Sequence, residues 1–129
     1  MWITTIPISI LSNRQLAPLE ALSLYLKEKR LTNHQIAEAL KRDDRTIWTV
    51  LHRAEKKKET AHKVQLSVTD QEVPLSLFHD RDVSALEAVA YFLHTLGFTF
   101  HQIAELLQRD DRTIWTSVQR YKKKKGELT

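Results

Sequence analysis

Apolar and polar residues alternate near the start of the chain, placing Ile6, Ile8 and Ile10 on one face of an extended segment, and the alternation returns at Val73, Leu75 and Leu77. Pro7 and Pro74 lack the N–H that a central strand would donate, so the pattern predicts edge strands or plain extended chain. A further alternating stretch, Val64–Val68, allows a small hairpin with Thr69–Glu72 as its turn. Beyond each extended segment the period becomes helical. Leu19, Leu22 and Leu26 are spaced for a first helix, with Pro18 tolerated in its opening turn, and Leu86, Val89 and Leu93 repeat the spacing. Thr32 with Gln35, and Thr99 with Gln102, have the capping-box spacing in which hydroxyl and amide satisfy two orphan helix donors; second helices over Asn33–Leu40 and Phe100–Leu107 follow. Asp43 and Asp110 are natural N-caps for third helices, whose far ends carry lysine runs that complement the helix dipole.

The two halves are copies. Shifting the sequence by 67 positions aligns Ile6–Lys58 with Val73–Lys125 without a gap, with 26 identities in 53 positions. The match is densest where His34–Thr49 (HQIAEALKRDDRTIWT) meets His101–Thr116 (HQIAELLQRDDRTIWT). Two copies of so long a period suit a duplicated small domain better than a solenoid. The pattern therefore predicts a mainly α protein made of two duplicated three-helix units, each preceded by a short extended or β segment. Residues 1–58 form the first unit, 59–72 a linker, 73–125 the second unit and 126–129 a tail. One chain then holds a pseudo-dimer.

At about 100° per residue, Ile47, Val50, Leu51 and Ala54 gather on one side of the third helix, as do Ile114, Val118 and Tyr121 in the second copy. That side is the expected buried face. Opposite it runs a polar row of Arg45, Thr49, His52 and Lys56, matched by Arg112, Thr116, Gln119 and Lys123. Trp48 and Trp115 fall at the boundary between the two faces. Burial against the first helix or the other copy is the plainer expectation for them, and stacking on a ligand the sharper one.

The stretch from Ile36 to Ala54 resembles the helix-turn-helix of sigma-factor region 4 and related homeodomain-like DNA-binding domains. Ile36, Ala37, Leu40, Ile47 and Leu51 match that family's core, and Ile103, Ala104, Leu107, Ile114 and Val118 repeat the match. About 20 residues per copy are covered, some 40 of the 129. The family's turn often begins with glycine, whereas Lys41 and Gln108 stand here. Either the turn is left-handed at a cost of roughly 1 kcal/mol, or it takes another geometry.

The resemblance implies that each third helix enters a major groove, which is about 12 Å wide and admits one α-helix. Arg45 and Arg112 then pair with guanine, Gln119 with adenine, and the methyls of Thr49 and Thr116 touch thymine, and His52 at the position matching Gln119 is the main difference in readout between the two copies. Phosphate contacts fall to His34, Gln35, Arg53, Lys56, Lys57 and Lys58, and to His101, Gln102, Arg120, Lys122, Lys123 and Lys124. A solvated helix face accounts for the same residue types without a ligand. Their recurrence at matched positions favours contact. Asp44 and Asp111 suit a first-turn dipole role, a clamp on the neighbouring arginine, or a bond from cytosine.

Charge and composition narrow the alternatives. The net charge of +4 is modest, but residues 108–125 carry seven basic and two acidic side chains while residues 63–107 carry two and six, so one end of the second half is suited to a polyanion. Zero cysteines exclude disulfides, thiolate zinc sites and a cysteine nucleophile, and two glycines leave no glycine-rich phosphate loop. Apolar runs are too short for a membrane span, which needs about 20 residues, and the N-terminus lacks the basic region of a signal peptide. The expected location is the cytoplasm, at the nucleoid. His34 with Glu38, and His101 with Glu105, have i,i+4 spacing that metal sites also use, but no further ligands are placed by the pattern. No enzyme, metal or cofactor is expected.

The expected partner is double-stranded DNA, read by a sequence-specific transcription regulator. Two other readings stand beside it. One is a nucleoid-associated architectural protein that bridges or bends DNA. The other is a sigma-like module that binds RNA polymerase or another protein through the acidic stretch Asp70–Glu87.

Overall fold

The computed structural model describes residues 5–12, 15–58 and 71–126. In chain order they form β1 (Thr5–Pro7), a 3₁₀ turn (Ile8–Leu11), α1 (Pro18–Glu28), α2 (Asn33–Leu40) and α3 (Asp44–Lys58). The same order follows as β2 (Glu72–Pro74), a 3₁₀ turn (Leu75–Phe78), α4 (Ala85–Thr95), α5 (Phe100–Leu107) and α6 (Asp111–Lys124). The protein is mainly helical, with one two-stranded sheet among the described residues.

The extended segments are shorter than the alternation suggests. After Pro7 and Pro74 the chain turns at once into 3₁₀ geometry, closed in the first copy by the backbone N–H and the hydroxyl of Ser12, both donating to Ser9 O. The turn buries Ile8 with Leu11, and Leu75 with Phe78, at a spacing of three. Ile10 and Leu77, expected on the strand face, are only half-buried. The alternating Val64–Val68 lies outside the described residues. Glu72, expected in a hairpin turn and a linker, instead opens β2 and pairs with β1.

The register of that pairing is informative. β1 and β2 run antiparallel, with Thr5 opposite Pro74, Ile6 opposite Val73 and Pro7 opposite Glu72. Val73 is Ile6 displaced by one 67-residue period, so the central pair sets a position against its own counterpart, and the two outer pairs interchange under the same shift. The exchange continues away from the sheet. The first 3₁₀ turn packs on α5 while the second packs on α2. Arg42 Nη1 donates to Phe78 O at 2.9 Å, and its counterpart Arg109 donates through Nη1 to Leu11 O, the counterpart carbonyl, at 3.3 Å. Reciprocal contacts of this kind belong to a two-fold relation and not to a translation along the chain. A local pseudo-two-fold axis therefore passes through the Ile6–Val73 pair.

Ile6 and Val73 are both fully buried and join the two halves into one core. Leu22, Leu26, Ile36, Leu40 and Ile47 enter it from the first half, and Val89, Leu93, Ile103, Leu107 and Ile114 from the second. α1 lies against α3, α4 against α6, and α1 touches α4. No helix among the described residues is long and apolar enough to cross a membrane.

Candidate nucleic-acid interface

The corner between α2 and α3 sets the direction of the polar row. Thr32 Oγ1 accepts from Gln35 N at 3.1 Å and Gln35 Oε1 accepts from Thr32 N at 2.8 Å, so the capping box opens α2 as its spacing requires. α2 ends at Lys41, whose backbone is left-handed at φ 54°, ψ 46°. Lys41 N donates to Glu38 O and Arg42 N to Ala37 O, the paired bonds of a Schellman motif. Gln108 repeats this at φ 53°, ψ 48°, with the same two bonds. Of the two geometries open to the sequence, the turn takes the left-handed one with ordinary residues. Arg42 stabilises the corner further by donating to Leu40 O at 2.7 Å, and Arg109 to Leu107 O at 2.6 Å.

α3 and α6 begin alike. Asp43 Oδ1 accepts from Thr46 N at 3.1 Å and Asp110 Oδ1 from Thr113 N at 3.0 Å, the expected N-caps. Hydrogen bonds from Thr46 hold the Asp43 carboxyl below its usual pKa. A second contact spans the corner. His34 Nδ1 lies 3.1 Å from Asp44 Oδ2 and its Nε2 lies 3.0 Å from Glu38 Oε1. His101 repeats this with Asp111 at 3.1 Å and Glu105 at 3.0 Å. The aspartate hydrogen bond, then the charges of both carboxylates, raise each imidazole above its ordinary pKa. The sequence places both histidines at phosphate, and Asp44 and Asp111 in a dipole, arginine or base role. The structure joins them as clamps between successive helices, with both ring nitrogens facing carboxylates.

The expected buried face of α3 is buried: Ile47, Val50, Leu51 and Ala54 are all in the interior. In α6, Ile114, Ser117 and Val118 are buried, and Tyr121 is half-buried and stacks on Tyr91 at 4.2 Å. On the opposite face Arg45, His52, Lys56, Arg112 and Lys123 are exposed, while Thr49, Thr116 and Gln119 are half-buried. Thr49 Oγ1 donates to Arg45 O at 3.0 Å, so the threonine methyl and the oxygen lone pairs remain as its outward groups. The tryptophans overturn the plainer expectation of burial: Trp48 is 54% exposed and Trp115 51%. Trp48 stacks on His52 at 4.1 Å and 24°. A shallow groove of about 380 Å³ adjoins the row between the start of α4 and α6, lined by Ser84, Arg112, Thr116, Ser117 and Arg120.

The lysine runs divide in two. Lys57 Nζ lies 2.9 Å from Glu20 Oε1, and Lys124 Nζ lies 2.7 Å from Glu87 Oε1. Glu20 and Glu87 are buried at the starts of α1 and α4, where their carboxylates also accept from Ala17 N and Ser84 N. Two of the expected phosphate ligands thus pair with buried carboxylates of the chain itself. Lys56, Lys123, Arg53 and Arg120 are exposed, as are Gln35 and Gln102, while Lys122 is half-buried and Lys58 is the last residue of α3. Glu20 and Glu87 were not singled out from the sequence, although a shared glutamate three residues into each first helix marks them. Among the described residues, no group of three or more metal-ligating side chains is placed to hold an ion. Comparison of the chain with protein-family models, curated proteins and solved structures finds no match.

Proposed function

We propose that the chain consists of two duplicated three-helix helix-turn-helix units and binds double-stranded DNA as a sequence-specific transcription regulator, with α3 and α6 lying in major grooves. The observation that carries this reading is the shared construction of the two corners. Each keeps a non-glycine residue in left-handed backbone, an aspartate cap and a histidine clamp, and each carries the same exposed arginine and lysine with a half-buried threonine between them. The same donors stand at matched positions of both copies. Arg45 and Arg112 are assigned to guanine, the threonine methyls to thymine, and Trp48 and Trp115 to sugar and backbone beside them.

The polymerase-binding alternative draws less support, because parts of its acidic stretch are engaged within the chain. Glu87 holds Lys124, Asp80 pairs with Lys125, and Glu72 accepts from the Thr5 hydroxyl. The test is titration of labelled random-sequence duplex with the full chain at several salt concentrations, followed by Arg45→Ala on selected sequence. Salt-sensitive binding with tryptophan quenching is expected, and Arg45→Ala should relax discrimination by about 1–3 kcal/mol at one half-site. Duplex binding that is equally tight for every sequence supports the architectural alternative. No binding even at low salt rules out both DNA readings.

A further inference from the structure

We infer that the DNA target is an inverted repeat with one deliberate imperfection, read by a single chain across its internal pseudo-dyad. The inference rests on the DNA-binding reading above and adds the relative orientation of the two half-sites.

The orientation follows from the reciprocal contacts. A tandem duplication read in sequence order suggests two units laid head to tail, which would demand a direct repeat. The structure does not place them so. Ile6 faces Val73, the outer strand pairs interchange under the 67-residue shift, and Arg42 and Arg109 each reach the other half's 3₁₀ turn. Two reading helices related by a two-fold present their rows in opposite senses. The local two-fold axes of B-form DNA run perpendicular to the duplex, so such a pair matches a pseudo-palindrome with half-site centres about one helical turn, or a whole number of turns, apart.

The imperfection follows from the rows themselves. Under the pseudo-dyad each position on α3 meets the same step of its half-site as its counterpart on α6. Arg45 and Arg112 are identical, as are Thr49 and Thr116, and Lys56 and Lys123. His52 and Gln119 alone differ in this row. Gln119 pairs bidentately with adenine, whereas His52 stacks on Trp48 and offers a single ring edge. The two half-sites should therefore agree at the arginine and threonine steps and depart from symmetry at the step facing residues 52 and 119.

The experiment is selection from a pool of duplexes with a randomised 30-base-pair core, using the full chain and, in parallel, His52→Gln. Enrichment of two oppositely oriented copies of one motif, symmetric except at one step, is the expected result. In His52→Gln that step should become symmetric. A duplex carrying both half-sites should bind about 100-fold or more tightly than one carrying a single half-site, because the second engagement is intramolecular. Enriched direct repeats, a lone half-site, or half-sites drawn from two separate duplexes would overturn the inverted placement and leave DNA binding standing. An inverted repeat whose odd step is unmoved by His52→Gln would overturn the assignment of residues 52 and 119. Failure of every duplex to be retained at low salt would remove the DNA reading itself.

Discussion

Ser23 offers a stability test with an internal control. Its side chain is fully buried in α1, and among the described residues its Oγ is the buried side-chain oxygen or nitrogen that lacks a hydrogen-bond partner. One period later the same position is Ala90, which is also fully buried. A buried hydroxyl without a partner costs about 1–3 kcal/mol on the scale of mutational data. Replacing serine by alanine inside a helix adds roughly 0.5 kcal/mol of propensity, and losing one oxygen's packing removes a similar amount. Ser23→Ala should therefore stabilise the protein by about 1–3 kcal/mol, and Ala90→Ser should destabilise it comparably. Urea unfolding of the full chain measures both, with the slope unchanged and the midpoint moving in opposite directions. In a thermal melt each kcal/mol corresponds to roughly 3–5 °C for a chain of this size. A Ser23→Ala protein that melts at or below the parent temperature would refute the reasoning, because the hydroxyl must then be satisfied in solution.

Three further perturbations test the corners and the cross-docking. Arg30 closes α1 in left-handed backbone at φ 69°, where the second copy has Gly97 at φ 101°, so Arg30→Gly should raise stability by about 0.5–1 kcal/mol in the same melts. Arg42→Ala strips a charged donor from Leu40 O and Phe78 O and should cost about 2–4 kcal/mol; a loss under about 0.5 kcal/mol would show that those carbonyls are paired otherwise. His34 and His101 have folded pKa values raised above the unfolded value of about 6.5, so the clamps stabilise fully below that pH and fade as pH rises through the folded pKa. The Tm deficit of His34→Ala with His101→Ala should accordingly be largest below the unfolded pKa of about 6.5 and shrink as pH rises above it, and a deficit independent of pH would contradict the clamp.

Much of the helical frame was legible in the sequence because its signals are local. Thr32 with Gln35 and Thr99 with Gln102 cap helices at the expected residues, since a capping box needs only four consecutive positions. The apolar stripe of α3 reports its buried face for the same reason. What local pattern could not supply was the partner across the molecule. Alternation at Ile6–Ile10 reads as a strand of five, yet only the pairing of β1 with β2 decides where the ladder stops, and the 3₁₀ turns follow from packing on α5 and α2. The histidine clamps were missed because His34 and Asp44 lie ten residues apart on different helices, although both recur together as His101 and Asp111. For Trp48 and Trp115 the angle on the helix is intermediate, so the helical pattern alone does not decide whether they are covered, and both stand exposed in the structure.

The lysine runs show how a structural role and a ligand role can share one sequence signal, and salt dependence separates them. The sequence offers eight lysines and arginines to phosphate: Arg53, Lys56, Lys57, Lys58, Arg120, Lys122, Lys123 and Lys124. If all eight neutralised phosphates, log K against log salt would fall with a slope of about −7, at about −0.9 per contact. The structure holds Lys57 on Glu20 and Lys124 on Glu87, at carboxylates too buried to be left alone without penalty. Six candidates remain and the expected slope is about −5. The single variants make the division sharper than the total. Lys56→Gln should flatten the slope by about one and leave the melting temperature unchanged, because Lys56 is exposed on the outward row. Lys57→Gln, one residue along, should lower the melting temperature and leave the slope alone. If instead Lys57→Gln flattened the slope and spared stability, Lys57 would have to leave Glu20 for phosphate on binding, and the buried carboxylate would need another partner in the complex.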